Sequence, residues 1–558
     1  MSMSDSDREA LAALLYPDAE PDIEQVKARF PARDLPEGAL VTRFGPSPTG
    51  FIHIGGVMTA LLNKKLSEQS GGVFILRIED TDQAREVKGG VEMFISALSL
   101  LGVGPKEGPN VGGDYGPYHQ SERRPIYHAF ARDLVRRGRA YPCFLTEEEL
   151  TAIRAEQEAQ KINPGIRGKW AKSRTLTLDD VRQKLDAGES WVLRLWSTAE
   201  PEARIVFEDR IRGSLELPAN PLDTVLIKAD GFPTYHFAHP IDDTLMRINL
   251  IIRGDEWIST TPVHVMIFDA LGLERPQIAH IAPVEKLDGT SRRKLSKRLD
   301  PEASMGFYEE AGYPSQSIIE YLLNMLDSAF EPWRTENPSK PYTNFELSVD
   351  RLGRSGSLCD IDKLNSVSRE VIATISDDDL FDAVVAWAKH YDERLTKAIE
   401  ANAEKAKKGI NIGRSGDKPR KDYAKWSDVG QKRGYFFDDY FDEMAPACYQ
   451  NLPQLGAEET AHVVEYFLKD LDDAFKSPSD EWIGRAKTYA LDRGYVKNQK
   501  KLKNTPDAKG VFSDFMKVAR VAVAGSTESP DLHESLMILG QDVVRARMER
   551  LLSHLRSA

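Results

Sequence analysis

The sequence predicts a parallel α/β domain, interrupted by an inserted α+β domain and followed by an all-α region. Three observations carry this. Apolar runs of strand length recur between Ala39 and Pro283, with helix-like stretches such as GGVMTALLNKKLSEQ between several of them, the alternation that marks a parallel sheet. Between Gln120 and Pro221 that alternation gives way to mixed helical and strand character. After Leu299 long amphipathic stretches such as SIIEYLLNML and VVEYFLKDLDDAF take over.

The chain, at 558 residues, is long for one domain, given roughly 150 residues per domain. Residues 1–38 read as an acidic N-terminal extension with one or two helical stretches, broken at Pro17, Pro21, Pro31 and Pro36, ahead of the functional part. ALVTRF (39–44) and VFILRI (73–78) supply strands for the first half of the α/β domain, 39–119. In the insertion, 120–221, TEEELTAIRAEQEAQ opens a helix while WVLRL and ARIVFED read as strands. TVLIK (224–228), INLII (248–252) and AHIAP (279–283) return to the parallel sheet in a second half, 222–300. The helical remainder divides into 301–375 and 376–558, and no repeat of solenoid period occurs.

A composition of 41% hydrophobic and 29% charged residues excludes wholesale disorder. The net charge of −13 argues against a surface that coats nucleic acid throughout. Residues 397–433, however, carry eleven Lys or Arg against five Asp or Glu, which makes a local polyanion-binding face worth considering. No apolar run approaches the roughly 20 residues of a membrane helix, and the polar start MSMSDSDREA lacks signal-peptide character, so a cytoplasmic protein without a membrane partner is expected. Cys143, Cys359 and Cys448 lie far apart with no C-x-x-C pair, which excludes a disulfide framework or a cysteine-rich zinc site and leaves reduced core thiols.

Two stretches carry chemistry. VTRFGPSPTGFIHIGGVMTALLNKKL runs strand, Gly/Pro-rich turn, helix, with His53, Gly55 and Gly56 at the turn. Amides at a helix start attract anions, and glycine lets a nucleotide approach the backbone. The turn is neither a P-loop nor G-x-G-x-x-G, and its plainer reading is a tight βα turn with His53 as helix cap. SRRKLSKRLD clusters Arg292, Arg293, Lys294, Lys297 and Arg298 around Ser296; alone, such a run is a solvated loop.

Together, a His-Ile-Gly-Gly turn and a later Lys-Leu-Ser-Lys-Arg stretch resemble the paired signatures of class I aminoacyl-tRNA synthetases. Further blocks narrow the resemblance to glutamyl-tRNA synthetases of the bacterial type: RFGPSPTG (43–50, with glycine at the usual alanine), RIEDTD (77–82), GPYHQSER (116–123), DGFPTYHFAHPIDD (230–243), IIRGDEW (251–257) and AGSTESPDLHESLMILG (524–540). The resemblance runs from Leu40 to the end. It implies a Rossmann-like catalytic domain, an insertion that receives the tRNA acceptor end, a stem-contact region and an all-α anticodon-binding region.

Carried over residue by residue, the resemblance puts the glutamate pocket on Arg43, Gly45, Ser47, Glu79, Tyr235, His239 and Arg253, with His239 where many members have asparagine. A substrate with two carboxylates and one ammonium calls for arginines and an acid. Arg253 would face the side-chain carboxylate, while Arg43 and Glu79 hold the other charged groups and Tyr235 shapes the pocket; Asp80, Asp82 and Arg85 would brace it. The ATP site falls on Thr49, His53, Gly55, Gly56, Glu256, Trp257, Ser296 and Lys297, with His53, Lys294 and Lys297 catalytic. Plainer readings stand beside these: Arg253 as a surface arginine at a strand end, Glu79 as an ion-pair partner of Arg77 or Arg85, Trp257 as core. Arg414, Arg420, Lys421 and Trp426, in NIGRSGDKPRKDYAKW, suit unpaired RNA bases, or form a charged loop anchored by Trp426. KNQKKLK (497–503) is a second cluster, or a solvated linker.

The implied reaction is ATP-dependent activation of L-glutamate and its transfer to tRNA(Glu), possible extension to tRNA(Gln) being undecided by the sequence, with Mg2+ accompanying ATP. Some relatives place zinc in the insertion; Cys143 lacks a cysteine partner and His119 and His128 lack ligand spacing, so no structural zinc is expected. A monomer is expected. A relative that glutamylates a tRNA base would lack the helical third, and a non-catalytic RNA-binding protein on this fold would lose the His-Ile-Gly or Lys-x-Ser-Lys elements.

Overall fold

The computed structural model describes residues 3–20, 22–48, 50–416 and 418–557. It divides into two compact units, residues 1–307 with 319–360, and residues 308–318 with 361–558.

The first unit is built on parallel strands. Val41–Phe44 pairs with Val73–Leu76 across the helix Ile54–Gln69, and Leu250–Gly254 pairs with Gln277–Ile281 across the helix Thr261–Leu271. Asn249 joins the two pairs: its N–H donates to Val41 O at 3.1 Å, and its Oδ1 accepts from the Val41 N–H at 2.8 Å. The carboxyl ends of Val41–Phe44 and Leu250–Gly254 thus lie side by side, which is where open α/β sheets place their ligands.

Two strands depart from the sequence reading. Val225–Ile227, within TVLIK, pairs antiparallel with Val192–Leu195, which pairs with Ala140–Cys143, so it belongs to a separate three-stranded sheet rather than to the parallel one. Conversely Arg204–Asp209, within ARIVFED, forms a hairpin with Gly213–Pro218 and meets the parallel sheet through Asp209 and Ile278. A short apolar run specifies a strand but not its neighbour. Helices Glu147–Ala159 and Leu178–Asp186 each open on a capping box, Thr146 with Glu149 and Thr177 with Asp180, which satisfies their first free amides.

The N-terminal segment is folded onto the first unit. Helix Asp5–Leu15, capped by Ser4, buries Leu11, Ala12 and Leu15 in the same apolar cluster as Leu134 and Val135 of the helix Arg124–Arg136. The second unit is helical, with cores around Leu380, Val384, Ile399 and Trp426 and around Val463, Phe467, Trp482 and Phe515. Among the described residues no helix is long and apolar enough to cross a membrane.

A buried charge network sits behind the strand ends. Helix Tyr235–Leu245 carries Asp242 and Asp243, both fully buried. Asp242 accepts from Arg123 Nε at 2.7 Å, Tyr127 Oη at 2.7 Å and Gln120 Nε2 at 2.9 Å. Asp243 accepts from Arg77 Nη1 at 2.6 Å and Arg43 Nε at 3.2 Å. Removing one partner of such a network leaves a charge stranded without water. Arg123→Ala is therefore expected to lower stability by about 3–5 kcal/mol, read as a fall in the urea midpoint at unchanged slope; a shift within error would show that Tyr127 and Gln120 suffice for Asp242.

Candidate active site

A cavity of about 460 Å³ opens at these strand ends. Arg43, Gly45, Glu79, Tyr235 and Arg253 line it, together with His53, Gly55, Gly56, Glu256, Trp257, Lys294 and Lys297. Residues far apart in the chain and of opposite charge are thus brought to one concave surface.

His53 is the N-cap of the helix Ile54–Gln69, its Nδ1 accepting from the Gly55 N–H at 2.9 Å. The ring proton is then on Nε2, which reaches Leu295 O at 3.3 Å and ties the helix start to the lysine loop. Burial lowers the pKa of His53, and Lys297 and Lys294 push the same way, so the ring is neutral. His53 thus caps the helix and also lines the cavity.

The lysine loop follows the hairpin of strands Val284–Asp288 and Ser291–Lys294. Asp300 shapes it, accepting from Arg293 Nη1 at 2.6 Å, Arg293 Nη2 at 2.8 Å and the Ser296 N–H at 2.9 Å. The hydrogen bonds from Arg293 hold the Asp300 carboxyl well below the usual range. Lys297 Nζ donates to Phe51 O, and burial lowers its pKa. Lys294 Nζ lies 3.4 Å from Glu256 Oε2. Ser296 holds the loop through its main chain and does not line the cavity.

Glu79 pairs with Arg77 Nη2 at 3.0 Å and also lines the cavity. Burial raises its pKa against the pull of Arg77 and Arg43. A Cβ at position 45 would meet Glu79 Oε1 at 2.3 Å, so glycine there is what lets this carboxylate lie against the strand end. Ser47 is exposed and outside the lining, its hydroxyl donating to Glu79 O at 3.0 Å. Thr49 lies outside the described residues.

Arg253 is buried, not a surface arginine, with 6% of its surface exposed. Its Nε donates to His280 Nε2 at 3.0 Å, Nη1 to His264 Nδ1 at 3.0 Å and Nη2 to Thr261 Oγ1 at 2.9 Å. Tyr235, at the start of its helix, packs against Trp257 with ring centroids 4.5 Å apart, so Trp257 belongs to the cavity wall rather than the core.

His239 corrects the sequence expectation. It does not line the cavity but lies one layer behind, stacked on Tyr235 at 5.5 Å. Its Nδ1 is 2.7 Å from Asp243 Oδ2, although neither ring nitrogen makes a well-directed hydrogen bond. Burial takes its pKa down to about 4. It is neutral and cannot share a substrate carboxylate as an imidazolium.

The candidate RNA contacts in the second unit do not form one exposed set. Arg414 is buried, its Nη2 donating to Ile372 O at 3.0 Å and Ile375 O at 2.7 Å. Trp426 is core, with Leu380 and Val384 in its cluster. These two are helix-end and packing residues, because the apolar ring and main-chain carbonyls needed them more than solvent did. Arg420 pairs with Asp422, and Lys421 with Glu370, at the surface. Lys497, Lys500, Lys501 and Lys503 are all exposed.

Sequence reasoning missed Asp243, Asp300, His264, His280 and Asp209. No local signal in the sequence marks them; only the fold gathers four of the eleven histidines, His236, His239, His264 and His280, around Arg253 or Tyr235.

Residues 39–365 match the family described as tRNA synthetases class I (E and Q), catalytic domain, and residues 423–552 match an anticodon binding domain. The chain belongs to this class I tRNA synthetase family. Among similar proteins, the glutamate–tRNA ligase of Clostridium perfringens (strain SM101 / Type A) is 44% identical over 98% of this chain and 99% of its own. That of Sorangium cellulosum is 42% identical over 95% and 97%. The crystal structure of a glutamate tRNA ligase from Elizabethkingia meningosepticum in complex with its amino acid is similar at a TM-score of 0.73 and 27% identity, covering 92% of this chain and 99% of that one.

The neutral His239 makes an acid-stability prediction. Its folded pKa of about 4 lies below its ordinary 6.5, so the unfolded state binds the proton first. The stability is full above the ordinary value and is lost as pH falls through this window, on the order of 3 kcal/mol. Urea midpoints of the parent and His239→Asn at pH 7.5 and pH 5 test this; the parent should lose more on acidification, and equal losses would remove the assignment.

Proposed function

We propose that the protein activates L-glutamate with ATP and transfers it to the 3′-terminal adenosine of tRNA(Glu) in the cavity of its first unit. The observation that carries this is the charge pattern of the lining: two arginines and Glu79 beside a glycine-opened helix start and two lysines, one of them paired with Glu256. The first set complements an amino acid with two carboxylates and an ammonium, and the second complements a triphosphate. The family and the glutamate–tRNA ligase relatives support the same reading.

The glutamate α-carboxylate oxygen attacks the ATP α-phosphorus and the bond to pyrophosphate breaks, giving glutamyl-adenylate. A ribose hydroxyl of the tRNA terminus, the 2′-hydroxyl by family resemblance, then attacks the activated carbonyl and AMP leaves. No side chain needs to act as nucleophile; the chain positions reactants and stabilises charge. Arg253 holds the side-chain carboxylate and Glu79 the ammonium, with Arg43 beside them. His53, through its cap of Gly55, presents the amides of the helix start to phosphate. Lys294 and Lys297 stabilise the charge that grows on the departing pyrophosphate. Among the described residues no group of three or more His, Cys, Asp or Glu is placed to hold a metal ion. Magnesium would arrive with ATP, bound by its phosphates.

The helical second unit would grip the anticodon end, with the exposed Lys500, Lys501 and Lys503 offered to phosphate. Pyrophosphate exchange into ATP, dependent on glutamate and tRNA, tests the activity. Charging purified tRNA(Glu) and tRNA(Gln) separately decides how far it extends.

Lys297→Ala is expected to slow exchange about 10²–10³-fold, by analogy with loss of a charge-stabilising donor, with thermal unfolding unchanged; near-parent exchange would remove the role. Arg253→Ala should cost about 2–5 kcal/mol of glutamate recognition and affect glutamine much less, measured as kcat/KM for each. An unchanged glutamate-to-glutamine ratio would reassign Arg253. Converting Lys500, Lys501 and Lys503 together to Ala should weaken tRNA binding and flatten its salt dependence; an unchanged salt titration would return the segment to a solvated linker.

A further inference from the structure

Arg253 is a buried cation whose protein partners are all neutral acceptors. Among the described residues no carboxylate lies within ion-pair distance of it, in contrast to Arg43 and Arg77, which both reach Asp243. What holds it follows from hydrogen-bond logic. A guanidinium can only donate, so the ring nitrogens facing it must accept, and this fixes three tautomers in sequence.

His280 accepts at Nε2, so its proton is on Nδ1, which donates to Asp209 Oδ2 at 2.6 Å. His264 accepts at Nδ1, so its proton is on Nε2, which faces His236 Nδ1 at 3.0 Å. His236 therefore accepts, and its proton is on Nε2. Asp209 is locked in turn: Oδ1 accepts from the Ile211 N–H at 2.9 Å and the Arg212 N–H at 2.8 Å, and Oδ2 from the His280 N–H at 3.1 Å. Both its oxygens face donors. Asp209 ends the hairpin strand that joins the sheet edge, so the hairpin delivers the anchor of this chain of bonds.

We infer that His264 and His280, oriented by His236 and Asp209, are positioning residues that hold the Arg253 guanidinium by neutral acceptors and so keep its charge available for the substrate's side-chain carboxylate. The inference rests on the reading of Arg253 as the carboxylate receiver. A carboxylate in place of either ring would neutralise the arginine in advance and remove the advantage of a charged substrate over its amide isostere. A protonated ring would face the guanidinium with a donor and push it from its place. Burial of His264 and His280 lowers both pKa values, in the direction this role requires.

The test uses the full-length enzyme and compares His264→Leu, which removes the acceptor, with His264→Asn, whose Oδ1 can accept where Nδ1 does. Loss of one hydrogen bond to a charged group predicts that His264→Leu raises KM for glutamate about 10–100-fold, with KM for ATP within about twofold and the glutamate-to-glutamine ratio lowered. His264→Asn should return most of the loss. Equal glutamate KM in the Leu and Asn variants, or a parallel rise in KM for ATP, would overturn the inference. Asp209→Asn is measured beside them, because an amide N–H₂ at the Oδ2 position would donate to His280 Nδ1 and reverse that tautomer, whereas one at the Oδ1 position would confront the Ile211 and Arg212 N–H donors and loosen the anchor. It should raise glutamate KM at least tenfold, the lower end of the same scale; an unchanged glutamate KM overturns the inference even if His264→Leu does not fold. Arg253→Ala separates the two levels: if it leaves glutamate KM unchanged, the carboxylate reading itself has failed, whereas a raised KM there with parent-like positioning variants disproves the positioning role alone.

Discussion

The first unit depends on one helix that presents two adjacent buried aspartates. Asp242 and Asp243 are neighbours on the helix Tyr235–Leu245, so their side chains leave in directions about 100° apart and take different partners. Asp242 binds Arg123, just before the helix Arg124–Arg136; Asp243 binds Arg43 on one strand and Arg77 just past the next. Three segments separated in sequence are therefore fixed to one helix. Buried ion pairs of this kind give weak net stability relative to apolar packing. What they supply here is geometry: with Asp242 and Asp243 in place, Arg43 and Tyr235 can stand only where the cavity needs them.

The same network sets the polarity of the cavity. Arg43 and Arg77 are both occupied by Asp243, and Arg77 also holds Glu79. Arg77 is spent inside the protein, and Arg43, which shares Asp243 with it, only in part. Arg253 is not, because His264, His280 and Thr261 bring dipoles rather than charge. Two arginines in one lining thus differ in what they can offer a ligand. Gly45 acts at the same level, since its missing Cβ is what lets the Glu79 carboxylate come close to the strand end.

Much of this was legible in the sequence where the information is local. The strand runs VFILRI and INLII, the helix opened at Thr146 and the turn around His53 each carry their own propensity and capping signals, and residues of RFGPSPTG, RIEDTD, DGFPTYHFAHPIDD and IIRGDEW meet at one cavity with the lysine loop. Partner choice was not legible: TVLIK and ARIVFED exchange sheets because a short run records that it is a strand, not which edge it will meet. Burial was hidden as well. Arg414 and Trp426 have the composition of an RNA-binding segment, yet carbonyls at a helix end and an apolar core claimed them. His239 was carried into the pocket by the family resemblance, but one helical turn beyond Tyr235 it lies behind the tyrosine ring, not beside the cavity.

The histidines around Arg253 show how a buried arginine can be held without its charge being neutralised. An arginine left in water would be hydrated and would select poorly between a carboxylate and an amide; one buried against an aspartate would have no charge left to give. Burial among imidazoles avoids both, since each accepts one hydrogen bond and contributes no formal charge. This works only while the rings stay neutral and point their lone pairs inward, and neither condition is intrinsic to histidine. Burial meets the first by lowering the ring pKa values. The second is met from outside the site, by the Asp209 carboxylate at the end of a hairpin and by His236 on the aspartate-bearing helix. The helix that fixes Arg43 through Asp243 therefore also fixes Arg253 through His236, and the two arginines that face the cavity share one support.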